Sequence, residues 1–256
     1  MISLITRVQH QHLHDRMFAS ALARSSGVAL EFITAPNPEG QPVIAATYNR
    51  LADRAHGDIL LFVHDDIEFV EDGWDARLVE AFADTSYDVL GVVGVDKYEG
   101  GLLVSSGHPH CFGKFMNLSD GILKVNIYGP RTSKQMVAVD GMFMAVRAEH
   151  FKTHKFDENL DGLFFYDIDY CLGAKVGIAD ILVAHYKTPE LYGKYPDGMK
   201  SMESYERYFY TKHGMAACGE AGDTRALCAT REDYDRYGHE ALFKMFSDKY
   251  NTPACA

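Results

Sequence analysis

Apolar runs of strand length alternate with amphipathic helical patterns over about the first 70 residues of the chain. Residues 2–8 and 28–34 are mainly apolar and predict two strands, and residues 59–63 are apolar at every position and predict a third. Residues 13–24 and 43–56 carry apolar side chains at helical spacing. Continuously apolar strands are typical of sheets covered on both faces. The order strand, helix, strand, helix, strand therefore predicts a parallel α/β sheet with right-handed crossovers.

The alternation continues less regularly through the middle of the chain. Residues 73–82 predict an amphipathic helix, and residues 88–95 predict another buried strand. The two glycines within that strand indicate a close approach of the backbone to a neighbour, or a bulge. The glycine-rich residues 96–136 predict a long excursion that contains one or two hairpins.

Three further segments complete the predicted core. Residues 137–147 resume a strand pattern, and the pair Asp140 and Gly141 in its middle indicates a kink or a turn. Residues 166–176 have the spacing of a helix, and residues 178–185 predict the last strand of the core sheet.

The character of the sequence changes near residue 196, where aromatic residues become frequent and helical patterns replace strands. We predict a domain of residues 1–195 and a C-terminal helical extension of residues 196–256, which serves as an appendage, a lid or a dimer arm. The predicted fold class is α/β, with a mostly parallel, Rossmann-like sheet flanked by helices.

Charge and cysteine content narrow the class of protein. The formal net charge is -11, and no basic patch stands out, which argues against nucleic-acid binding. An acidic protein still binds a polyphosphate when a metal ion bridges the two. The 5 cysteines form no CxxC pair, which favours reduced thiols in a cytoplasmic protein.

The amino terminus lacks the features of a signal peptide, and no run of 18 apolar residues predicts a membrane span. A lipid-linked substrate would be reached from the membrane surface.

The strand of residues 59–63 leads directly into His64, Asp65 and Asp66. In an open α/β sheet, ligands bind outside the carboxyl ends of the strands. Closely placed carboxylates repel one another, and a divalent cation relieves that repulsion. These residues predict a metal site that holds a phosphorylated ligand. The alternative is that the two aspartates only cap a turn.

Two later groups have the same ambiguity. Asp167 and Asp169 lie in the first turn of a predicted helix, where acidic residues also favour the helix dipole without any catalytic role. His185 ends a predicted strand, and it is either a metal ligand or a structural histidine.

Taken together, these segments resemble the GT-A fold nucleotide-sugar glycosyltransferases of the inverting family 2 type, over about residues 1–190. In that family a buried strand ends in a D-x-D-like motif, a glycine-containing strand follows, and a Glu-Asp-x-Asp helix start and a strand ending in His complete the site. The segments similar to these motifs and to the family's Asn-containing helix are residues 48–58, 63–67, 139–147, 165–172 and 183–185.

The resemblance implies roles for particular side chains. Asp167 matches the catalytic base. The metal ligands implied are Asp66, His185, His64 and Asp65. The donor-binding residues implied are Thr6, Arg7, Asn49, Asp65 and Gly141. The residues implied on the acceptor side are Tyr166 and Asp169.

This chain departs from the family pattern at three places. His64 stands where the first acid of D-x-D is usual, and Tyr166 stands where a Glu usually precedes the base. Residues 35–38 replace an acidic turn that often reads the nucleobase. The donor is therefore expected to be a UDP- or GDP-sugar without a choice between them.

The activity implied by the resemblance is transfer of a sugar, with inversion, from a nucleoside-diphosphate donor to an acceptor hydroxyl, assisted by Mn2+ or Mg2+. The acceptor is a glycan, a lipid-linked molecule or a small molecule, and homo-oligomerisation stays open. One alternative is another metal-dependent phosphate-handling enzyme, such as a nucleotidyltransferase or phosphohydrolase. Another is a non-catalytic carbohydrate-binding relative.

Overall fold

The protein is seen in a computed structural model, which describes residues 1–37, 44–83, 86–98, 110–119, 122–128, 135–160, 162–186, 208–213 and 226–230. The helices and strands in chain order are β1 (Ile2–Val8), α1 (Gln11–Ala23), β2 (Leu30–Pro36), α2 (Ile44–Ala52), β3 (Ile59–His64), β4 (Ile67–Phe69), α3 (Trp74–Ala83), β5 (Val89–Gly91), β6 (Val93–Val95), β7 (Cys111–Ser119), β8 (Ile122–Tyr128), β9 (Ala138–Val139), β10 (Phe143–Arg147), α4 (Ala148–Phe151), α5 (Tyr166–Cys171), β11 (Val176–Ile178), β12 (Val183–Tyr186) and β13 (Ala226–Thr230).

The described strands form two sheets. The first has the order β11-β5-β10-β3-β1-β2, and its strands are parallel except for β10, which is antiparallel to both neighbours. In this sheet β3 lies between β1 and β10, and its residues 59–63 are buried, as the apolar run predicts. The predicted α/β class with a mostly parallel sheet is confirmed.

The second sheet has the order β13-β8-β7-β12-β4, with β6 joined to β7 and β9. The predicted strand of residues 88–95 is divided between the two sheets, because β5 belongs to the first and β6 to the second. The predicted close approach at its glycines is confirmed. A Cβ atom on Gly91 would lie 2.4 Å from Cβ of Val139, and one on Gly94 would lie 2.5 Å from the carbonyl oxygen of Ala138.

The last predicted core elements are placed differently from the sequence prediction. The helix predicted over residues 166–176 ends at Cys171, because Gly173 turns the chain close against the ring of His154. The strand predicted over residues 178–185 is two strands, β11 and β12, and β12 lies in the second sheet instead of the core sheet.

The first crossover is shifted slightly from its predicted place. Strand β2 begins at Leu30 instead of Val28, because the N–H of Val28 donates to Asp75 Oδ2 at 2.9 Å and not to a strand neighbour. Asp75 is fully buried at the start of α3 and also accepts hydrogen bonds from Ser25 and Ser26. Helix α3 is thereby fixed against the turn that leads into β2.

The excursion of residues 96–136 contains the predicted hairpin, formed by β7 and β8. In the predicted C-terminal helical extension, residues 208–213 are helical, and Ala226–Thr230 forms an edge strand beside β8. The rest of residues 196–256 lies outside the described residues, and the domain boundary near residue 195 stays a prediction. Among the described helices, none combines the length and the hydropathy needed to cross a membrane.

Candidate metal and catalytic site

Three side chains meet where the chain passes from one sheet to the other. His64 is the last residue of β3, and a two-residue turn containing Asp66 leads into β4 of the second sheet. Strand β12 pairs with β4 and places His185 directly opposite Ile67. We call the junction of β3, β4 and β12 the seam. His185 and Asp66 are far apart in the sequence, and the pairing of β4 with β12 brings them together.

The ligand atoms at the seam are spaced for a metal ion. His185 Nε2 lies 3.2 Å from Asp66 Oδ1, and His64 Nδ1 lies 3.9 Å from the same oxygen. One potential ligand atom from each of the three residues lies within 4.8 Å of the other two. Two imidazole nitrogens and one carboxylate oxygen form a donor set that transition-metal cations accept.

The state of these groups also fits a cation. Asp66 Oδ1 is buried, and in the described part of the chain it makes no well-aligned hydrogen bond, although His185 Nε2 faces it at 3.2 Å. Burial acts to raise the pKa of Asp66, but His185 and His64 outweigh it and hold that pKa below its ordinary value. Burial lowers the pKa of His64. An ionised carboxylate with two imidazoles beside it offers the ligand types that a transition-metal site uses.

Asp65 does not join this cluster. Its Oδ2 accepts hydrogen bonds from the backbone N–H groups of Gln9 and His10, each at 2.6 Å, immediately before α1. Asp65 therefore holds the turn before α1, while Asp66 faces the two histidines, and the implied metal-ligand role of Asp65 stays a prediction. Burial raises the pKa of Asp65.

Asp167 lies partly buried at the start of α5. Its Oδ2 accepts a hydrogen bond from the N–H of Gly141 at 2.8 Å, and its Oδ1 accepts one from the N–H of Ile168 at 2.9 Å. Burial and the nearby negative charge of Asp140 raise the pKa of Asp167 to about 7, although these two hydrogen bonds oppose the shift. A carboxylate with a pKa near neutrality is suited to proton transfer.

Tyr166 joins the start of α5 to the seam. Its hydroxyl oxygen lies 3.0 Å from Nε2 of His64. Phe165, directly before it, has a φ of 69°, in the left-handed region that is uncommon for a residue other than glycine. Such strain concentrates at functional sites.

Asp169 is held by the helical residues 208–213. His213 Nε2 lies 2.7 Å from its Oδ1, and Lys212 Nζ lies 2.8 Å from the same atom. Phe209 stacks on Phe165 with ring centroids 5.3 Å apart. This C-terminal segment therefore packs against the turn that carries Tyr166 and Asp167.

Two of the implied donor-binding side chains are engaged inside the protein. Thr6 Oγ1 donates to the carbonyl of Val63 at 2.8 Å. Asn49 Nδ2 donates to the carbonyl of Phe156 at 3.0 Å, and its Oδ1 accepts the N–H of the same residue at 3.1 Å. Arg7 is buried at the end of β1, opposite His64 in the sheet.

Sequence reasoning missed some of the residues around the site. Asp140 was interpreted only as part of a kink, yet its charge acts on both Asp167 and His64. Lys212 and His213 were not singled out, because their partner Asp169 lies 43 and 44 residues earlier in the sequence. The aromatic residues around Phe209 were the only indication in the sequence that this segment packs against the rest of the protein.

Comparison with known proteins agrees with this arrangement. A family model described as "Glycosyltransferase like family" matches residues 3–213, which is most of the chain. The chain belongs to this glycosyltransferase-like family. No curated protein sequence matches the chain significantly.

Solved structures of glycosyltransferases share the fold at low sequence identity. The structure of GalNAc-T7 with UDP, GalNAc and Mn2+ is 14% identical, has a TM-score of 0.52, and is matched over 97% of this chain and 57% of its own. The structure of S. aureus TarS 1-349 with UDP is 13% identical, has a TM-score of 0.50, and is matched over 98% of this chain and 73% of its own. The chain spans only 38% of another TarS chain. These likenesses show the GT-A fold.

Proposed function

We propose that this protein transfers a sugar, with inversion, from a nucleoside-diphosphate donor to an acceptor hydroxyl, with a divalent cation held by His64, Asp66 and His185. The main observation behind the proposal is that the candidate metal site and the candidate catalytic base lie side by side. The three-residue donor set at the seam is linked through Tyr166 to the partly buried carboxylate of Asp167. UDP in the two structures of similar fold, and Mn2+ in one of them, support a nucleotide donor and a metal.

A cation at the seam supplies positive charge that stabilises a departing diphosphate. A diphosphate would bring further negative charge to a site that already holds the carboxylates of Asp66 and Asp167, and the cation would offset that charge. The charged carboxylate of Asp66 and the imidazoles of His64 and His185 would hold the ion.

Asp167 accepts the proton of the attacking hydroxyl in this proposal. Each of its oxygens accepts one backbone N–H, which fixes the plane of the carboxylate and leaves lone pairs for the substrate. Because the pKa is raised to about 7, the carboxylate is a stronger base than an exposed aspartate. Transfer is expected to increase as the pH rises through that pKa, since only the ionised form can accept a proton.

The donor set favours Mn2+ over Mg2+. Mg2+ prefers an all-oxygen environment with several water molecules, whereas imidazole suits later divalent metals. At this site two of the three protein ligands are imidazoles. The acceptor class, the cytoplasmic location and any homo-oligomer stay predictions from the sequence.

The proposed function is tested by measuring UDP affinity calorimetrically with Mn2+, with Mg2+ and with a chelator. UDP is expected to bind most tightly with Mn2+ and to lose at least about 10-fold in affinity with the chelator. His185→Ala should bind UDP as weakly with Mn2+ as the wild type does with the chelator. His56→Ala is the matched control, because His56 is an exposed histidine that precedes β3, at the opposite end of that strand from His64.

Equal UDP affinity with and without the chelator would overturn the metal assignment. A screen of UDP- and GDP-sugars for hydrolysis or transfer then identifies the donor. Turnover of any of them excludes the non-catalytic alternative, and failure of all of them with an intact Mn2+ site would contradict the proposed activity.

A further inference from the structure

We infer that Tyr166 is a positioning residue that fixes which nitrogen of His64 faces the metal. The Tyr166 hydroxyl faces His64 Nε2 and turns Nδ1 toward the seam; with a cation on Nδ1, the hydrogen of the neutral ring is on Nε2, and the Tyr166 oxygen accepts it. This inference rests on the proposed metal site and adds a residue that lies outside the ligand set.

The two nitrogens of the His64 ring have different surroundings. Nε2 lies 3.0 Å from the Tyr166 hydroxyl, while Nδ1 is the nitrogen that lies 3.9 Å from Asp66 Oδ1. A neutral imidazole carries one hydrogen on one of its two nitrogens. When Nε2 holds that hydrogen, Nδ1 can coordinate a cation. A partner for the second nitrogen is what commonly sets the tautomer and orientation of a metal-binding histidine.

The hydroxyl of Tyr166 is held firmly in this place. The residue is 1% exposed, and its ring contacts the rings of Tyr48 and Phe156, with centroids 6.1 Å and 5.8 Å away. A buried hydroxyl held in place by this ring packing fixes the orientation of the His64 imidazole, and with it the nitrogen that faces the seam.

Two backbone features serve the same placement. Gly141 leaves room for the hydroxyl, because a Cβ atom there would lie 2.1 Å from the Tyr166 oxygen. The left-handed Phe165 sets the direction in which the chain enters α5. Phe165, with its left-handed backbone, and Gly141, which has no room for a side chain, both lie next to Tyr166. Packing of the Tyr166 ring would not require either feature, so we take them as support for a defined position of its hydroxyl.

The experiment compares Mn2+ affinity, measured without donor by electron paramagnetic resonance, in a double-mutant cycle of Tyr166→Phe and His64→Ala. Tyr166→Phe removes only the hydroxyl, and we expect it to weaken Mn2+ binding about 10-fold. In the His64→Ala background the same change should have no further effect, because the imidazole that it positions is gone.

Tyr48→Phe is the matched control. Tyr48 is also a buried tyrosine in contact with Tyr166, and its hydroxyl donates to the carbonyl of Val63, the residue before His64, at 3.1 Å. It does not touch the imidazole of His64. Mn2+ affinity in Tyr48→Phe should stay at the wild-type value even though a buried hydrogen bond is lost.

The possible outcomes separate this inference from the proposed function. Wild-type Mn2+ affinity in Tyr166→Phe would overturn the inference and leave the metal site intact. An equal loss in both backgrounds would show a general packing effect and would also overturn it. If His64→Ala and His185→Ala bind Mn2+ as the wild type does, the metal site itself fails.

A measurement on the wild-type protein covers the case in which Tyr166→Phe does not fold. Nitrogen NMR of the Zn2+-bound protein distinguishes the two ring nitrogens, and the His64 signal is assigned by its absence in His64→Ala. We expect a protonated Nε2 and a metal-bound Nδ1. The opposite arrangement would contradict the role of Tyr166.

Discussion

Asp167 combines a partly buried position with a carboxylate that has to ionise in order to act. Its two backbone hydrogen bonds stabilise the charged form, while burial and the charge of Asp140 oppose it. The balance leaves the pKa at about 7, so the folded protein keeps a group that changes charge near neutral pH.

Asp167→Asn is expected to reduce transfer by about 10²–10⁴-fold, the usual contribution of a general base. Mn2+ and UDP affinity should be retained, because the ligands His64, Asp66 and His185 are unchanged. Initial rates and calorimetry on the same preparation test this pair of outcomes. Substantial transfer by the variant would refute the assignment of the base.

The same substitution has a consequence for stability. In the folded state the pKa of Asp167 is about 7, above the ordinary value of 3.8, so between these values the folded state binds more protons than the unfolded chain. This group therefore lowers the free energy of unfolding as the pH rises through that window. Measured without metal, the melting temperature of Asp167→Asn relative to the wild type should increase from about pH 4 to about pH 8. A difference that is independent of pH would contradict the shifted pKa.

Gly141 is a second position where a single added carbon atom is expected to disturb the site. In Gly141→Ala the new methyl group would lie 2.1 Å from the Tyr166 hydroxyl and 3.1 Å from Cβ of Asp167. We expect a loss of stability of about 1–3 kcal/mol, together with a loss of activity. Removing the hydroxyl first, in Tyr166→Phe, should reduce the cost, and strictly additive unfolding free energies would speak against the contact.

Among individual residues, the sequence predicted those that belong to a recognisable motif. His64, Asp66, His185 and Asp167 were singled out, and the structure gathers the first three into one cluster. The sequence favoured Asp66 over Asp65 as the leading ligand, but what Asp65 contacts could not be predicted, since that depends on how the turn after β3 packs against the start of α1.

At the element scale, the six helical residues 208–213 support α5 from outside. Phe209 is fully buried, and its ring contacts those of Phe165 and Tyr98. Its neighbour Lys212 bonds both Asp157 and Asp169. Since α5 has only 6 residues, its position depends on these contacts more than on its own hydrogen bonds.

Phe209→Ala is expected to destabilise the protein by about 3–5 kcal/mol. It should also speed hydrogen exchange at α5, for example at the N–H of Asp169, which donates to the carbonyl of Phe165 at 2.9 Å. Tyr208→Phe is the control on the same segment, since Tyr208 is exposed and loses only its hydrogen bond to Asp157, worth about 1 kcal/mol. Equal effects of the two changes would argue against a supporting role for Phe209.

Long apolar elements were predictable, and short ones were not. Strand β3 and helix α1 carry enough periodic positions to be recognised. Strand β4 has 3 residues and follows two aspartates, so its pairing with β12 leaves no periodic signal in the sequence. The prediction that residues 183–185 belong to the core sheet was wrong for the same reason, because the pairing of β12 with β4 places β12 in the second sheet.

At the scale of the whole molecule, ligand binding at the seam is expected to appear as thermal stabilisation. At a UDP concentration about 100 times its dissociation constant, with Mn2+ present, the gain is about 2.7 kcal/mol. For a chain of this length that corresponds to a rise of about 5–10 °C in the melting temperature. UDP with a chelator should give little shift, and so should His185→Ala with Mn2+. A full shift in that variant would contradict the site.

The α/β class and the glycosyltransferase-like family were predictable because they depend on the order of long elements and motifs along residues 3–213. The division of the strands into two sheets was not, since it depends on which backbone groups pair across long distances in the sequence.

The seam gives that division a physical meaning. Two of the proposed ligands, His64 and His185, belong to strands of different sheets, and Asp66 lies in the turn that connects the sheets. A cation there would act as a removable cross-link between the two halves of the core. Metal depletion would then do more than slow the reaction. It would weaken the connection between the two sheets, and the rigidity of the fold would depend on the concentration of the metal.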